Sequence, residues 1–328
     1  MDLLTELHAK IETLAEYESI EGVRAAIRHI EVAERHLVRG RDENDEDAFN
    51  DVIYRTNQAF EGMLEEAYVT MMAAGTPSSK LTLHQIEQQF ASDGRLSARL
   101  LTAFQRYRQE WRNASTHDHK LLFSEQDALL AIVSVSAFAA ILLDQIIASA
   151  SCKNQRDVAD RQRVELDRAL KNYDRLDFND QVVTLLIAFS SNLCRSFAAG
   201  SRQPTEAELI GGIAGFLSAA DPSLAVEQHA RLSERETDLL LRKNNMVAPL
   251  EIKRGGRGYF LDAAAEQVKA MLEDGGLRIG FVFMPPRKPT DTMGTAHLDW
   301  AGEDRAVAVV APQPFIFVQP EGGRPNSR

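Results

Sequence analysis

Through the first 150 residues the apolar positions recur every three or four residues, which is the signature of helices with one buried face. Leu3, Leu4, Leu7, Ile11 and Leu14 form one such stripe. Val23, Ile27, Ile30, Val32 and Leu37 form a second that ends near Gly40, before an acidic, polar loop over 41–47. Val52, Phe60, Met63, Leu64, Ala67 and Met71 mark a third helix over 47–74, stopped by Gly75-Thr76-Pro77-Ser78-Ser79. Shorter helices are expected over 81–90 and 96–111, with Ala91-Ser92-Asp93-Gly94 as the turn between them. The last is an apolar helix over 124–147, with Ser124 as its N-cap and Asp127 at its third position. No strand pattern interrupts this series, so residues 1–150 read as an all-α helical bundle.

The texture then changes twice. Residues 151–180 are densely charged and read as a solvated helical linker, the expected domain boundary. From 181 to 318 helical and strand-like patterns alternate. An apolar helix covers 182–199, and Ser201-Arg202-Gln203-Pro204 breaks it. Thr205 caps a helix over 206–219, which Asp221-Pro222 ends. Runs over 237–241 and 248–253 look like paired strands. A helix over 261–274 closes at Gly275-Gly276, and a strongly apolar strand over 278–284 stops at Pro285-Pro286. A final strand covers 306–310, continuing at 315–318, and 319–328 reads as a disordered tail. The fold class expected is therefore α plus α/β, with the helical domain first.

Composition narrows the partners. A chain of 328 residues suits two domains, and 44% apolar residues suffice for two cores. The net charge of −11 means that any contact with nucleic acid must use local basic patches rather than a global positive field. Two cysteines, Cys152 and Cys194, without a CxxC spacing, argue against a disulfide framework or zinc knuckle and suit a reducing cytoplasm. Met1-Asp2-Leu3-Leu4 does not begin like a signal peptide. The apolar run over 128–143 is shorter than the roughly 20 residues a bilayer span needs, and it contains Ser134 and Ser136. It reads as a core helix, so no membrane association is expected.

Two stretches carry chemistry. The first is Trp111-Arg112-Asn113-Ala114-Ser115-Thr116-His117-Asp118-His119. Arg112 is a permanent cation with five donors, suited to a phosphate, and His117 exchanges protons near neutral pH. The order of Tyr54-Arg55-Thr56-Asn57-Gln58-Ala59-Phe60, then Arg112-Asn113 and His117, then the helix with Gln126-Asp127-Ala128-Leu129-Leu130, resembles the HEPN superfamily over roughly the first 150 residues. Many of its members are metal-independent endoribonucleases with an Arg-x(4–6)-His motif. The resemblance implies a homodimer in which two motifs line one cleft. In it His117 would move the 2′-hydroxyl or leaving-group proton, Arg112 would stabilise phosphoryl charge and Asn113 would orient the phosphate or the His. No metal is implied there. His119 satisfies the longer spacing, so either histidine can fill the role, His117 by the commoner one.

The second stretch is Leu250-Glu251-Ile252-Lys253-Arg254. On a strand, Glu251 and Lys253 share one face while Leu250 and Ile252 share the other. A carboxylate two residues from a lysine can hold Mg²⁺ beside an activated water, with Asp238 of the preceding strand as a second ligand. This Asp…Glu-x-Lys order resembles the PD-(D/E)xK restriction-endonuclease-like fold. The resemblance implies Mg²⁺ or Mn²⁺ held by Asp238 and Glu251, with Lys253 orienting water. It adds an acidic residue from the upstream helix, Glu206 in preference to Glu208 because it shares a face with Ile210, Ile213 and Leu217, and a helical Gln267 near the site. Arg254, Arg257 and Lys269 are candidate contacts to a nucleic-acid backbone. No Pro-Asp pair precedes Asp238, and Met271 stands where a Tyr often follows that Gln.

Together these imply a cytoplasmic nuclease acting on RNA or DNA, with an N-terminal HEPN-like domain, a C-terminal restriction-endonuclease-like domain, and an activating ligand or partner. Proteins joining such parts resemble bacterial antiviral-defence or toxin effectors. Two other readings stay open: a DNA endonuclease in which the helical domain only dimerises or binds nucleic acid, and a non-catalytic regulatory module.

Overall fold

Helices stand over most of the periodic stretches of the first half in the computed structural model, which describes residues 2–72, 81–93, 96–112, 122–255, 258–300 and 304–314. Contact density divides the chain into two units, Met1–Ala150 and Ser151–Arg328.

In the first unit, α1 (Leu3–Leu14) buries Leu7, Ile11 and Leu14, and the Asp2 carboxylate caps it by accepting from the Leu4 N–H at 3.1 Å. α2 (Glu21–Glu43) runs past Gly40, where an end was expected. Gly40 is there because the Phe49 ring packs where a Cβ would stand, and the helix instead ends at Asn44, whose φ of 55° is left-handed. α3 (Asp47–Met72) packs along α2, followed by α4 (Leu83–Asp93) and α5 (Ala98–Tyr107). α5 opens at Ser97, whose hydroxyl accepts from the Leu100 N–H, and widens at its end into a π-helical turn, Arg108–Arg112.

α6 (Glu125–Arg161) begins with the reciprocal cap expected at Ser124: the Asp127 N–H donates to Ser124 Oγ, and the Ser124 N–H to Asp127 Oδ2. Its residues Ala128, Ala131, Val135, Phe138, Leu142 and Ile146 are buried at helical spacing. It is long and apolar enough to cross a membrane by composition, yet 61% of its apolar window is buried within the protein. Phe60 of α3 is the centre of the core, with its ring 4.6 Å from Tyr107, 4.9 Å from Phe138 and 5.0 Å from Phe104.

Most of residues 151–180 are exposed, as a solvated segment should be, but a few of them belong to the core of the second unit. Ala159 of α6, Leu166 of α7 (Arg163–Ala169) and Tyr173 of a 3₁₀ turn (Tyr173–Arg175) enter its core. They pack with α8 (Phe178–Ala198) and α9 (Glu206–Ala220). The Tyr173 hydroxyl donates to Asp221 Oδ2 at 2.6 Å, and Lys243 Nζ donates to the same oxygen at 2.8 Å. Charge density here marks a largely exposed helical cover that is pinned by a few apolar positions, while Val164 stays exposed.

Six strands follow: β1 (Ala225–Leu232), β2 (Arg235–Lys243), β3 (Met246–Ile252), β4 (Ile279–Phe283), β5 (Met293–Asp299) and β6 (Ala306–Pro312). Between β3 and β4 lies α10 (Gly258–Gly275). The sheet order is β1-β2-β3-β4-β6-β5. β1, β2 and β3 form an antiparallel meander, β4 joins β3 in parallel, β6 joins β4 in parallel, and β5 closes the edge antiparallel to β6. Alternation assigns the faces. Leu250, Ile252, Phe281, Phe283, Ala308 and Val310 face α8 and α9. Val282, Val307, Val309 and Ala311 face Leu261, Ala264, Val268 and Leu272 of α10. The two strands not foreseen, β1 and β5, are the sheet edges, and within each of them only one residue is buried. A polar edge strand carries no clean two-residue alternation to read. The expected continuation at 315–318 and the tail lie outside the described residues.

Candidate active site

The second unit gathers three of the expected side chains at one end of β3. The β2–β3 register sets Leu239 opposite Leu250. Asp238 and Glu251 are the next residues along the two strands, close enough that the Glu251 charge acts on Asp238. Glu251 points away from Leu250 and Ile252, as alternation requires, and is 2% exposed. Its Oε2 accepts from Lys253 Nζ at 3.1 Å, and its Oε1 is buried with no hydrogen-bond partner. Asp238 Oδ2 accepts the Ile252 N–H at 2.7 Å. That bond ties the first carboxylate to the strand carrying the second.

The electrostatics are unbalanced. Burial, first, and the Glu251 carboxylate, second, push the Asp238 carboxyl up to about 7, against the opposing pull of the Ile252 N–H and Lys253. A buried Glu251 carboxylate and a half-buried Asp238 carboxyl, with one partly exposed lysine, are short of positive charge. A buried carboxylate oxygen without a partner costs stability unless something else satisfies it. A hard divalent cation does, and Mg²⁺ commonly takes only one or two protein carboxylates, filling the rest of its shell with water and phosphate. The donor set therefore fits Mg²⁺ or Mn²⁺. Among the described residues no group of three His, Cys, Asp or Glu gathers as an all-protein metal cage.

Glu206 departs from expectation. It is exposed at the first turn of α9 rather than turned inward, because α9 is buried nearly all round and its helical spacing does not single out one face. Its charge nonetheless reaches Asp238 and raises that carboxyl further. Glu208, the alternative, is committed elsewhere. It completes a capping box with Thr205 and takes both arms of Arg202 at 2.8 Å. Gln267 is half-buried on α10, and Arg254 is exposed just beyond Lys253. Lys269 is drawn away from the site, lying 4.8 Å over the Trp300 ring and 3.9 Å from Glu273. Arg257 lies outside the described residues.

In the first unit Arg112 closes the π-helical turn, a feature that often re-aims side chains at functional sites. Its Nε donates to Glu61 Oε1 of α3 at 3.2 Å. It lines a cleft of about 280 Å³ with Arg108, Phe60, Phe104, Thr82 and His84. Glu87, at the same cleft, pairs with Arg108 and lies 3.4 Å from His84 Nδ1. Arg108, His84 and Glu87 were not among the expected site residues. The signal for Arg108 was its place four residues before Arg112, but His84 and Glu87 come from a separate helix that no local spacing connects. Asn113, His117 and His119 lie outside the described residues.

Comparison with known proteins adds no relative: no family model, no curated protein and no solved structure matches the chain. The fold and the site stand on their own geometry as a helical unit followed by a mixed α/β unit with a buried Glu251 carboxylate beside Asp238.

Proposed function

We propose that this chain is a metal-dependent nuclease whose cutting centre is Asp238, Glu251 and Lys253. The observation that carries the reading is the buried Glu251 carboxylate beside the half-buried Asp238, with Glu251 Oε1 unpartnered and Lys253 beside Glu251 Oε2, at the carboxyl end of β3. The order α9-β1-β2-β3-α10-β4, with β4 parallel to β3, supports the resemblance to the PD-(D/E)xK fold.

Asp238 and Glu251 would hold the cation, with Glu206 close enough to add charge. A divalent ion bound there supplies Lewis-acid polarisation and neutralises phosphate charge. The chain's own residues do the rest. The Ile252 N–H fixes Asp238 Oδ2. Lys253, kept by Glu251 within reach of the site, donates a hydrogen bond to the attacking water or to a phosphoryl oxygen. The water oxygen would form a bond to phosphorus as the bond to the departing sugar oxygen breaks, the water giving one proton to solvent and the departing oxygen taking one from solvent.

A second centre is proposed in the first unit, at Arg112, because Arg112 and Arg108 line one cleft beside a histidine. There the HEPN-like reading is a metal-independent endoribonuclease assembled in a homodimer. Cleavage of RNA and of duplex DNA, with Mg²⁺ and with EDTA, tests both. Loss of all cutting in EDTA leaves only the carboxylate centre, whereas RNA cutting that survives EDTA belongs to Arg112. A chain that cuts neither substrate under either condition, even as a dimer, sinks the nuclease reading.

A further inference from the structure

The parallel pairing of β3 with β4 brings a second loop to the carboxylate centre. Ile252 is opposite Phe283, and the Lys253 N–H donates to the Phe283 carbonyl at 2.8 Å. The chain leaving β4 therefore starts beside Lys253. It passes through buried Met284, Pro285 and Pro286 and reaches Arg287. The backbone of Arg287 is held from two sides. Its N–H donates to Asp291 Oδ2 at 2.7 Å, and its carbonyl accepts from Gln203 Nε2, in the loop that leads to Glu206. The side chain turns back over Gly255, and its guanidinium occupies the space a Cβ at Gly255 would need. Gly255, at φ +145°, takes a conformation that favours glycine in any case.

Arg287 is exposed, and among the described residues no carboxylate pairs with its guanidinium. The nearby Asp291 oxygen is taken by the backbone N–H groups of Arg287 and Lys288. In this chain of net charge −11, Arg108, Arg112 and Arg202 are each ion-paired. A cation without a carboxylate partner, its backbone held by two hydrogen bonds and its guanidinium over Gly255, two residues past Lys253, is placed for an anion that comes from outside. Ligands of open α/β sheets bind beyond the carboxyl ends of parallel strands, which is where β3 and β4 end.

We propose that Arg287 binds the substrate at the carboxylate centre, gripping the oxygens of a phosphodiester beside the one that is cut. The inference rests on the nuclease reading of Asp238, Glu251 and Lys253. A guanidinium suits the role because its fork meets two phosphate oxygens at once, which a lysine cannot do. The backbone phosphate is common to DNA and RNA, so the residue serves either.

The test is fluorescence anisotropy of the full chain on fluorescein-labelled duplex DNA and single-stranded RNA of one sequence, with Ca²⁺ replacing Mg²⁺, across a salt series. For whichever probe the carboxylate centre takes, Arg287→Ala weakens binding about tenfold and lowers the salt slope by about one, with an unchanged melting temperature. Arg287→Lys recovers the slope and part of the affinity. A Kd and slope equal to the wild type's overturn the proposal. Weaker binding with an unchanged slope marks a structural prop and overturns it as well. Asp238→Asn separates the two levels. If it removes the Ca²⁺-dependent gain while Arg287→Ala changes nothing, the nuclease reading stands and this one falls. If the wild-type chain binds neither probe, both fall.

Discussion

Replacing Asp238 by Asn should stabilise the metal-free protein while abolishing its response to metal. Asn keeps an oxygen to accept the Ile252 N–H, so the 2.7 Å bond survives. What disappears is a carboxylate that burial and Glu251 hold at about 7 rather than 3.8. In the unfolded chain this group loses its proton near 3.8, whereas in the folded chain it keeps it until about 7. Between those values the unfolded state binds fewer protons, so stability falls as pH rises and levels off above about 7. Three units at about 1.4 kcal/mol each come to about 4 kcal/mol by pH 8. The same relation leaves about 2 kcal/mol at pH 5 and under about 1 kcal/mol at pH 4. The assay is urea unfolding in a Trp111→Phe background. There, Trp300 is the only tryptophan and lies in the second unit. The Asn variant should exceed its parent by a margin that grows with pH over this range. Mg²⁺ at a hundred times its Kd should add about 2.7 kcal/mol to the parent and nothing to the variant. A variant less stable than its parent at pH 8, or one with an equal Mg²⁺ response, would refute the account of this site as a cation trap.

The other expectations divide by residue. Glu206→Gln should weaken Mg²⁺ binding, measured by calorimetry, with little effect on stability. Glu208→Ala should do the reverse, costing about 1 kcal/mol or more through the lost capping box and leaving Mg²⁺ affinity unchanged. If Glu208→Ala weakens the metal site instead, the assignment of the two glutamates is inverted. Lys253→Ala should abolish Mg²⁺-dependent cleavage while Mg²⁺ still binds, and normal cutting by that variant removes the lysine from the mechanism. His117→Ala and Arg112→Ala should each remove RNA cleavage that persists in EDTA. Cleavage at the wild-type rate by either variant would dismiss the first centre.

The parts of this structure that the sequence discloses are those where one residue pattern has one physical solution. Leu250 and Ile252 alternate with Glu251 and Lys253, and a strand buried on one face is the only regular element that separates them so. Ser124 with Asp127, and Thr205 at the head of α9, are local caps whose partners lie within four residues, so their hydrogen bonds are written in the spacing. Glu206 was misplaced because Ala207, Glu208, Leu209 and Ile210 are all buried, and a helix buried all round has no polar face to read. The core role of part of 151–180 was missed because three apolar anchors, Ala159, Leu166 and Tyr173, were outnumbered by charges on the exposed side. The edge strands β1 and β5 failed for a related reason. Arg287 was out of reach altogether, since only the parallel pairing of β3 and β4 brings residue 287 to residue 255.

The same imbalance that lowers stability at the carboxylate centre also decides how an acidic chain can meet a polyanion. The global field of a protein with net charge −11 repels nucleic acid at long range, so encounter gains nothing from steering. Attraction must arise within a Debye length, about 8 Å at physiological ionic strength. At the end of β3 the described sources are Lys253, Arg254 and Arg287, set against Asp238, Glu251 and Glu206. By formal charge these cancel, and a phosphate has no net reason to settle there. A divalent cation turns that balance by two units and satisfies the orphan oxygen of Glu251 in one event. In the nuclease proposed here, metal and substrate binding at this centre would be coupled through charge, each favouring the other, and such coupling is reciprocal by thermodynamic necessity. In the proposed nuclease, the carboxylates that cost stability without metal would be what makes the centre's grip on phosphate conditional on metal.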